Sequence, residues 1–201
     1  MKTLPAVVVL GAGRDARFAG PRPRLAEPLG QETVLAHTLR HAIGSGLSVV
    51  LVTTAGFVGD ATKLLASRDV VVIDTSRCGM GDSIAAGVAA RSGAAGWLML
   101  PADMPMVRPQ TLRLVADGLG QHAVVVAQYR GMRGHPVACG VELFSELVHL
   151  RGNAGTRRLV ARYPAMAIDV DDPGVLQTMD SEDGARNLRQ MWAQQAGVDS
   201  S

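Results

Sequence analysis

The chain has 201 residues, 47% of them hydrophobic and 3% aromatic, and a net charge of +2. That length suits one domain with a sizeable core, while nearly balanced charge and few stacking rings exclude a general nucleic-acid binder. Apolar runs are too short to cross a membrane, MKTLPAVVVL is too short for a secretion signal, and Cys78 and Cys139, far apart in sequence, read as reduced thiols; together these place the chain in the cytoplasm, without a membrane partner.

The first element is the apolar strand Ala6–Leu10, which stops at Gly11-Ala12-Gly13 and is followed by Arg14, Arg17, Arg22 and Arg24. A buried strand ending in small residues lets backbone N–H groups approach a phosphate closely, and the arginines supply countercharge. Three phosphate motifs compete here. Gly11–Ala16 fits the dinucleotide fingerprint literally, but Pro21, Pro23 and Pro28 interrupt the helix and strand that should follow, and Glu32 precedes a helical stretch instead of ending a strand. A P-loop needs Gly-Lys-Ser/Thr, and the only lysines are Lys2 and Lys63. The third motif is the long arginine-bearing loop of nucleotidyltransferases, which the remaining chain favours.

Beyond the loop, amphipathic and apolar segments alternate. The predicted order is helix Thr33–Ser45, strand Val49–Thr53, helix Asp60–Ser67, strand Val70–Ile73, helix Asp82–Arg91, strand Trp97–Leu100, helix Pro109–Leu119, strand Val124–Ala127, helices Val141–Leu150 and Asn153–Tyr163, and strand Ala167–Val170. Strands apolar on both faces alternating with helices define a three-layer α/β/α domain around a mainly parallel, Rossmann-like sheet. One domain is expected over residues 1–193, with 194–201 as a flexible tail.

In such sheets ligands gather at the carboxyl ends of the strands, and three more constellations fall there or nearby. In RCGMGDSIAAGV, small residues open a helix whose free N–H groups face the site, or Ser83 or Asp82 merely caps it. In WLMLPADMP, Asp103 lies three residues past a strand, placed either to hold Mg²⁺ with substrate phosphates or to serve a turn. In RGHPVACG, His135 precedes a proline and is therefore extended, which by itself suits an ordinary strand-edge histidine. Arg157 and Arg158 in NAGTRRLV read as solvated charge. Asp169, Asp171, Asp172, Asp180, Glu182 and Asp183 read mainly as turn or capping residues, one of which could approach Asp103.

Taken in order, LGAGRDARF (10–18), GMGDS (79–83), PADMP (101–105), RGHPVACG (133–140), GNAG (152–155) and DDPGVLQTMDSED (171–183) resemble the MobA-like nucleotidyltransferase family. Ala12, where the guanylyl branch has glycine, and the GHPV segment are similar to the CTP:molybdopterin cytidylyltransferase branch. Two positions depart from the pattern: Arg24 stands where the family has lysine, and the late acidic motif is eroded, leaving Asp180 as its second aspartate. The resemblance implies transfer of a nucleotidyl group, CMP from CTP, to a phosphorylated acceptor of the molybdopterin type, with release of pyrophosphate. It assigns Mg²⁺ to Asp103 and Asp180, the triphosphate to Arg17 and Arg24 with Leu10, Gly11, Ala12, Gly13 and Arg14, the nucleoside or acceptor to Gly79, Gly81 and Ser83, and the acceptor side to His135 and Pro136. A molybdoenzyme or its chaperone is an implied transient partner. Two other outcomes stay open: an enzyme of the same fold using GTP or another acceptor, and a non-catalytic nucleotide- or cofactor-binding homologue in which the loop lysine was lost.

Overall fold

The computed structural model describes residues 3–13, 23–74, 79–152 and 162–198, with side chains to 194. Among the described residues nine strands, β1 (Ala6–Leu10), β2 (Pro28–Leu29), β3 (Glu32–Thr33), β4 (Ser48–Thr53), β5 (Val70–Val72), β6 (Gly96–Pro101), β7 (Val124–Tyr129), β8 (Met132–Gly140) and β9 (Met166–Asp169), alternate with α1 (Val34–Gly44), α2 (Val58–Ala61), α3 (Met80–Ala90), α4 (Pro109–Gly118), α5 (Phe144–Val148) and α6 (Glu182–Val198). Seven strands form one sheet in the order β5-β4-β1-β6-β8-β7-β9, while β2 and β3 pair as a small antiparallel ribbon. Within the large sheet β8 runs antiparallel to both of its neighbours, and the other recorded pairings are parallel. The sheet is thus mainly parallel, as predicted.

The side-chain period of two along β1 builds the layers. Val7 and Val9 join one core with Leu35 and Leu39 of α1, Leu112 and Val115 of α4 and Leu188 of α6. Ala6 and Val8 join the other with Ile84 and Val88 of α3, Leu147 of α5 and Leu143 just before it. A strand buried on both faces has no polar side, which is why its sequence shows an unbroken apolar run. Burying each large side chain contributes about 1.5–3 kcal/mol before ordering costs are counted. No helix among the described residues is long and apolar enough to cross a membrane.

Three elements depart from the sequence expectation. The helix expected over Asp60–Ser67 is the single turn α2: the Thr62 hydroxyl donates to the Val58 and Gly59 carbonyls, competing with the helical ladder, and the chain then turns so that Leu65 can bury. RGHPVACG is part of a full strand rather than an edge segment. The β7–β8 connection uses Arg130 and Gly131, both at positive φ, and the register shifts between Val126 and Gln128, opposite the cis His135-Pro136 bond. A bulge of this kind lets proline sit inside a sheet without leaving a ladder donor missing. Residues 182–198, largely left without an assigned element, form α6; its first-turn N–H of Gly184 donates to Ser181 Oγ, and Ala185 and Leu188 bury one face. The helix expected at Asn153–Tyr163 lies mostly outside the described residues.

Helix α3 lies so close to β1 that a Cβ on Gly87 would collide with the Val8 side chain and come within 3.0 Å of Val52 Cγ2. Gly87→Ala is therefore expected to lower unfolding free energy by about 1–3 kcal/mol through overpacking. Urea denaturation measures it, and an unchanged midpoint contradicts this contact.

Candidate functional site

Strand order reverses at β1: the chain goes from β1 outward to β4 and β5, then returns to β6 on the other side. A crevice forms outside the carboxyl ends of strands at such a switch point. Here it lies between the ends of β1 and β6, where two of the sequence-selected motifs emerge. The Gly11 N–H donates to Val52 O at 2.7 Å and the Ala102 N–H to Leu10 O at 3.0 Å, so the start of each loop is tied to the neighbouring strand. Leu10 is half-buried, Ala12 is buried and Gly13 is exposed. Arg14 and Arg17 lie outside the described residues, as do Cys78 and residues 153–155 of GNAG.

Arg24 starts a short 3-10 turn, Arg24–Ala26, anchored by buried Leu25. Its Nη1 donates to Asp103 Oδ2 at 3.1 Å, with only 15% and 9% of the two side chains exposed. Its Nη2 reaches the loop after β1, 3.1 Å from where a Cβ of Gly13 would stand. Thus one guanidinium connects the loop after β1 to the carboxylate after β6. The Met179 N–H donates to Asp103 O at 3.0 Å, bringing the segment that carries half-buried Asp180 beside Asp103. The groups Asp103 and Asp180 supply are carboxylate oxygens, the hard donors that Mg²⁺ and Mn²⁺ take, usually completed by substrate phosphates and water. No cluster of three or more His, Cys, Asp or Glu suited to a metal exists among the described residues, so the donor set fits an ion shared with a phosphate ligand better than a closed structural site.

The segment behind Asp103 is clamped by another aspartate. Asp172 is buried; its Oδ2 accepts from the Arg108 N–H at 2.8 Å and Thr111 Oγ1 at 2.6 Å, and its Oδ1 accepts from the Gly174 N–H at 3.0 Å. A Cβ on Gly174 would collide with Met106 O, and one on Gly134 with Val175 O. The turn 173–176 is consequently pressed between the PADMP loop and β8. Continuing the β6–β8 register by two residues sets His135 opposite Pro101, near the mouth of the crevice. His135 is half-buried, and burial pushes its imidazole below the ordinary value, toward the neutral form. Pro136 is buried beside it.

GMGDS opens α3, and Asp82 serves two loops at once. Its Oδ2 accepts from the N–H of Gly79 at 2.8 Å and of Gly152 at 2.9 Å. These two bonds, with Arg151 adding a smaller attraction, hold its carboxyl below the ordinary value of 3.8. Gly81 is required by the same contact, since its Cβ would stand 2.6 Å from Gly152 O. Ser83 is 4% exposed, with its hydroxyl donating to Gly79 O at 3.4 Å. The structure therefore joins GMGDS to the start of GNAG, and Ser83 Oγ bonds within its own helix.

Sequence reasoning missed the brace behind Arg24. Buried Glu27 pairs through Oε2 with Arg189 of α6 at 3.2 Å, and the Trp192 ring packs at a tilt against His37, with ring centroids 4.3 Å apart. Gly30, at φ +66°, leaves room for that indole, whose Nε1 lies 3.0 Å from where a Cβ would stand. These partners are some 160 residues apart, and neither helix periodicity nor a motif marks the pairing. Glu32, the acid of the rejected dinucleotide reading, sits in β3 of the small ribbon, held by Arg40 through both oxygens. Cys139 is buried, and burial raises its thiol to about 12, leaving it inert as a nucleophile.

A mainly parallel sheet with a glycine loop after its first strand and an aspartate turn after the strand across the switch point defines a nucleotidyltransferase fold. The chain belongs to the MobA-like NTP transferase domain family, whose description matches residues 7–167. Its structure is similar to Rv0371c of Mycobacterium tuberculosis, at 30% identity and a TM-score of 0.80, covering 94% of this chain and 99% of that one. Another crystal structure of Rv0371c, a complex with manganese, aligns at 29% identity and a TM-score of 0.77, covering 94% and 100%. The bifunctional protein GlmU of Cereibacter sphaeroides is 29% identical over 191 residues, 90% of this chain but 41% of GlmU. The chain thus spans about two fifths of the length of that curated relative.

The depressed carboxyl of Asp82 makes a pH prediction. A lowered folded-state pKa stabilises above the unfolded value, and that contribution is lost as pH falls through the folded one. Asp82→Asn should therefore be less stable than wild type at neutral pH, and the gap should close on acidification below about pH 4. Thermal melting across pH checks this; a gap that stays constant would show that the charge is not what matters.

Proposed function

We propose that this chain transfers a nucleotidyl group from a nucleoside triphosphate, with CTP as donor, to a phosphate-bearing acceptor of the molybdopterin class. The observation that carries the proposal is the Arg24–Asp103 contact across the β1/β6 crevice, with the Asp180 segment bonded to the Asp103 backbone. Family membership supports nucleotidyl transfer, and Ala12 with the GHPV segment supports the cytidylyl branch.

In this reading an acceptor phosphate oxygen attacks the α-phosphorus in line, and the bond to pyrophosphate breaks as that bond forms. The chain's work is positioning and charge neutralisation. Backbone N–H groups of Ala12 and Gly13 receive the phosphates, Arg17 and Arg24 offset their charge, and Asp103 and Asp180 would hold the divalent cation. When bound, Mg²⁺ would neutralise charge building on the phosphate oxygens. Gly79, Gly81 and Ser83 shape the nucleoside or acceptor side, and His135 and Pro136 the acceptor side. Neutral His135 can donate one hydrogen bond to a phosphate oxygen without adding a charge.

Thermal melting with CTP, GTP, ATP, UTP and NADH, each with and without Mg²⁺, tests the donor. A native-state ligand raises the melting temperature by mass action. Selective, Mg²⁺-dependent stabilisation by CTP is expected; selectivity for another triphosphate would change the donor, and no response to any would remove the nucleotide site. Asp103→Asn, which keeps the side-chain shape, should reduce pyrophosphate release at least about 100-fold while the protein stays folded. Near-normal turnover would overturn the cation assignment.

A further inference from the structure

Arg24 sits on the carboxylate that a divalent cation would need. Its Nη1 is on Asp103 Oδ2 at 3.1 Å, and Nη2 lies against Gly13 of the phosphate loop. The turn carrying it is held from behind by buried Leu25 and by the Glu27–Arg189 pair, so its backbone stays in place while the long side chain can change partners. A guanidinium and a metal ion on one carboxylate repel each other in a mostly water-excluded place, where charges interact more strongly than in solvent. A triphosphate over Gly11–Gly13 offers oxygens that a guanidinium binds in a bidentate fork, better than it binds one carboxylate oxygen.

We propose that Arg24 is a nucleotide-operated gate on the Asp103 cation site. Without nucleotide, Arg24 occupies Asp103 and holds divalent-metal affinity down. An arriving triphosphate draws the guanidinium to itself, and Asp103 passes to the metal. This rests on the reading that the loop after β1 binds a nucleoside triphosphate. Nucleotide and metal then tighten each other's binding reciprocally, as linkage requires. The gate keeps the site from holding a metal ion unproductively, and the same arginine neutralises the triphosphate once it has left the carboxylate.

The test is calorimetric titration of Mn²⁺ into the full chain, without nucleotide and with non-hydrolysable α,β-methylene analogues of CTP, GTP, ATP and UTP. Wild type is compared with Arg24→Gln, with Arg24→Met, which keeps an apolar stem, and with Arg24→Gln combined with Asp103→Asn. Without nucleotide, both single variants should bind Mn²⁺ at least about tenfold tighter than wild type, within the usual range of coupling between sites. The gain should vanish in the double variant, and the analogue that binds should tighten Mn²⁺ more in wild type than in Arg24→Gln. Wild type that binds an analogue, with no gain in either single variant, overturns the gate and leaves the functional reading standing. Wild type that binds none of the four analogues overturns the functional reading and the gate with it.

Discussion

The position of β1, in the middle of the sheet and buried on both faces, is the constraint on which the rest depends. Its backbone is hydrogen-bonded to β4 on one side and β6 on the other, and the bonding continues past its end through Gly11 and Leu10. The chain leaving β1 therefore cannot drift. Leu10, Gly11 and Ala12 emerge at a set distance from Ala102 and Asp103, because both stretches hang from the same ladder. Glycine at position 11 suits that confinement: a Cβ there would stand 3.3–3.4 Å from Leu51, Ala102 and Val52 O.

Four aspartates illustrate how one residue type divides into different jobs by its surroundings. Asp172 and Asp82 each accept hydrogen bonds from several donors, mostly backbone N–H groups, and hold separate loops together. Such carboxylates are committed, since releasing them would strand buried or half-buried donors. Asp103 meets a guanidinium on a long, movable stem, and Asp180 lies on the strand of chain bonded to the Asp103 backbone. In the proposed reading these two are the carboxylates that would take the cation. Asp172 holds the 173–176 turn between the PADMP loop and β8, which keeps the walls of the crevice in register.

Much of this arrangement was legible in the chain. The unbroken apolar run of β1, its stop at Gly11-Ala12-Gly13, and the Asp103 turn beyond Trp97–Leu100 follow from periodicity and local turn chemistry, which act over a few residues. α3 and α4 were found within a residue or two for the same reason. β8 was harder, because Pro136 argues against a strand unless a bulge receives it, and the bulge depends on the partner strand β7. α6 was missed as an element because the acidic residues at its start read equally well as a turn. The bond from the Ser83 hydroxyl to Gly79 O inside its own helix could not be told from spacing alone.

The sequence by itself determined the layer architecture, the glycine loop after the first strand, the order of the motifs and the candidate residues, since each is written in local spacing, apolar period or residue chemistry. Tertiary structure alone decided who meets whom: Arg24 with Asp103 across 79 positions, Asp82 with Gly152 across 70, and Glu27 with Arg189 across 162. Such pairings arise from strand order and from the way α6 folds back over the start of the chain. Ion pairs and shared hydrogen bonds act over a few ångströms of space whatever the separation along the chain, so spacing carries no record of them.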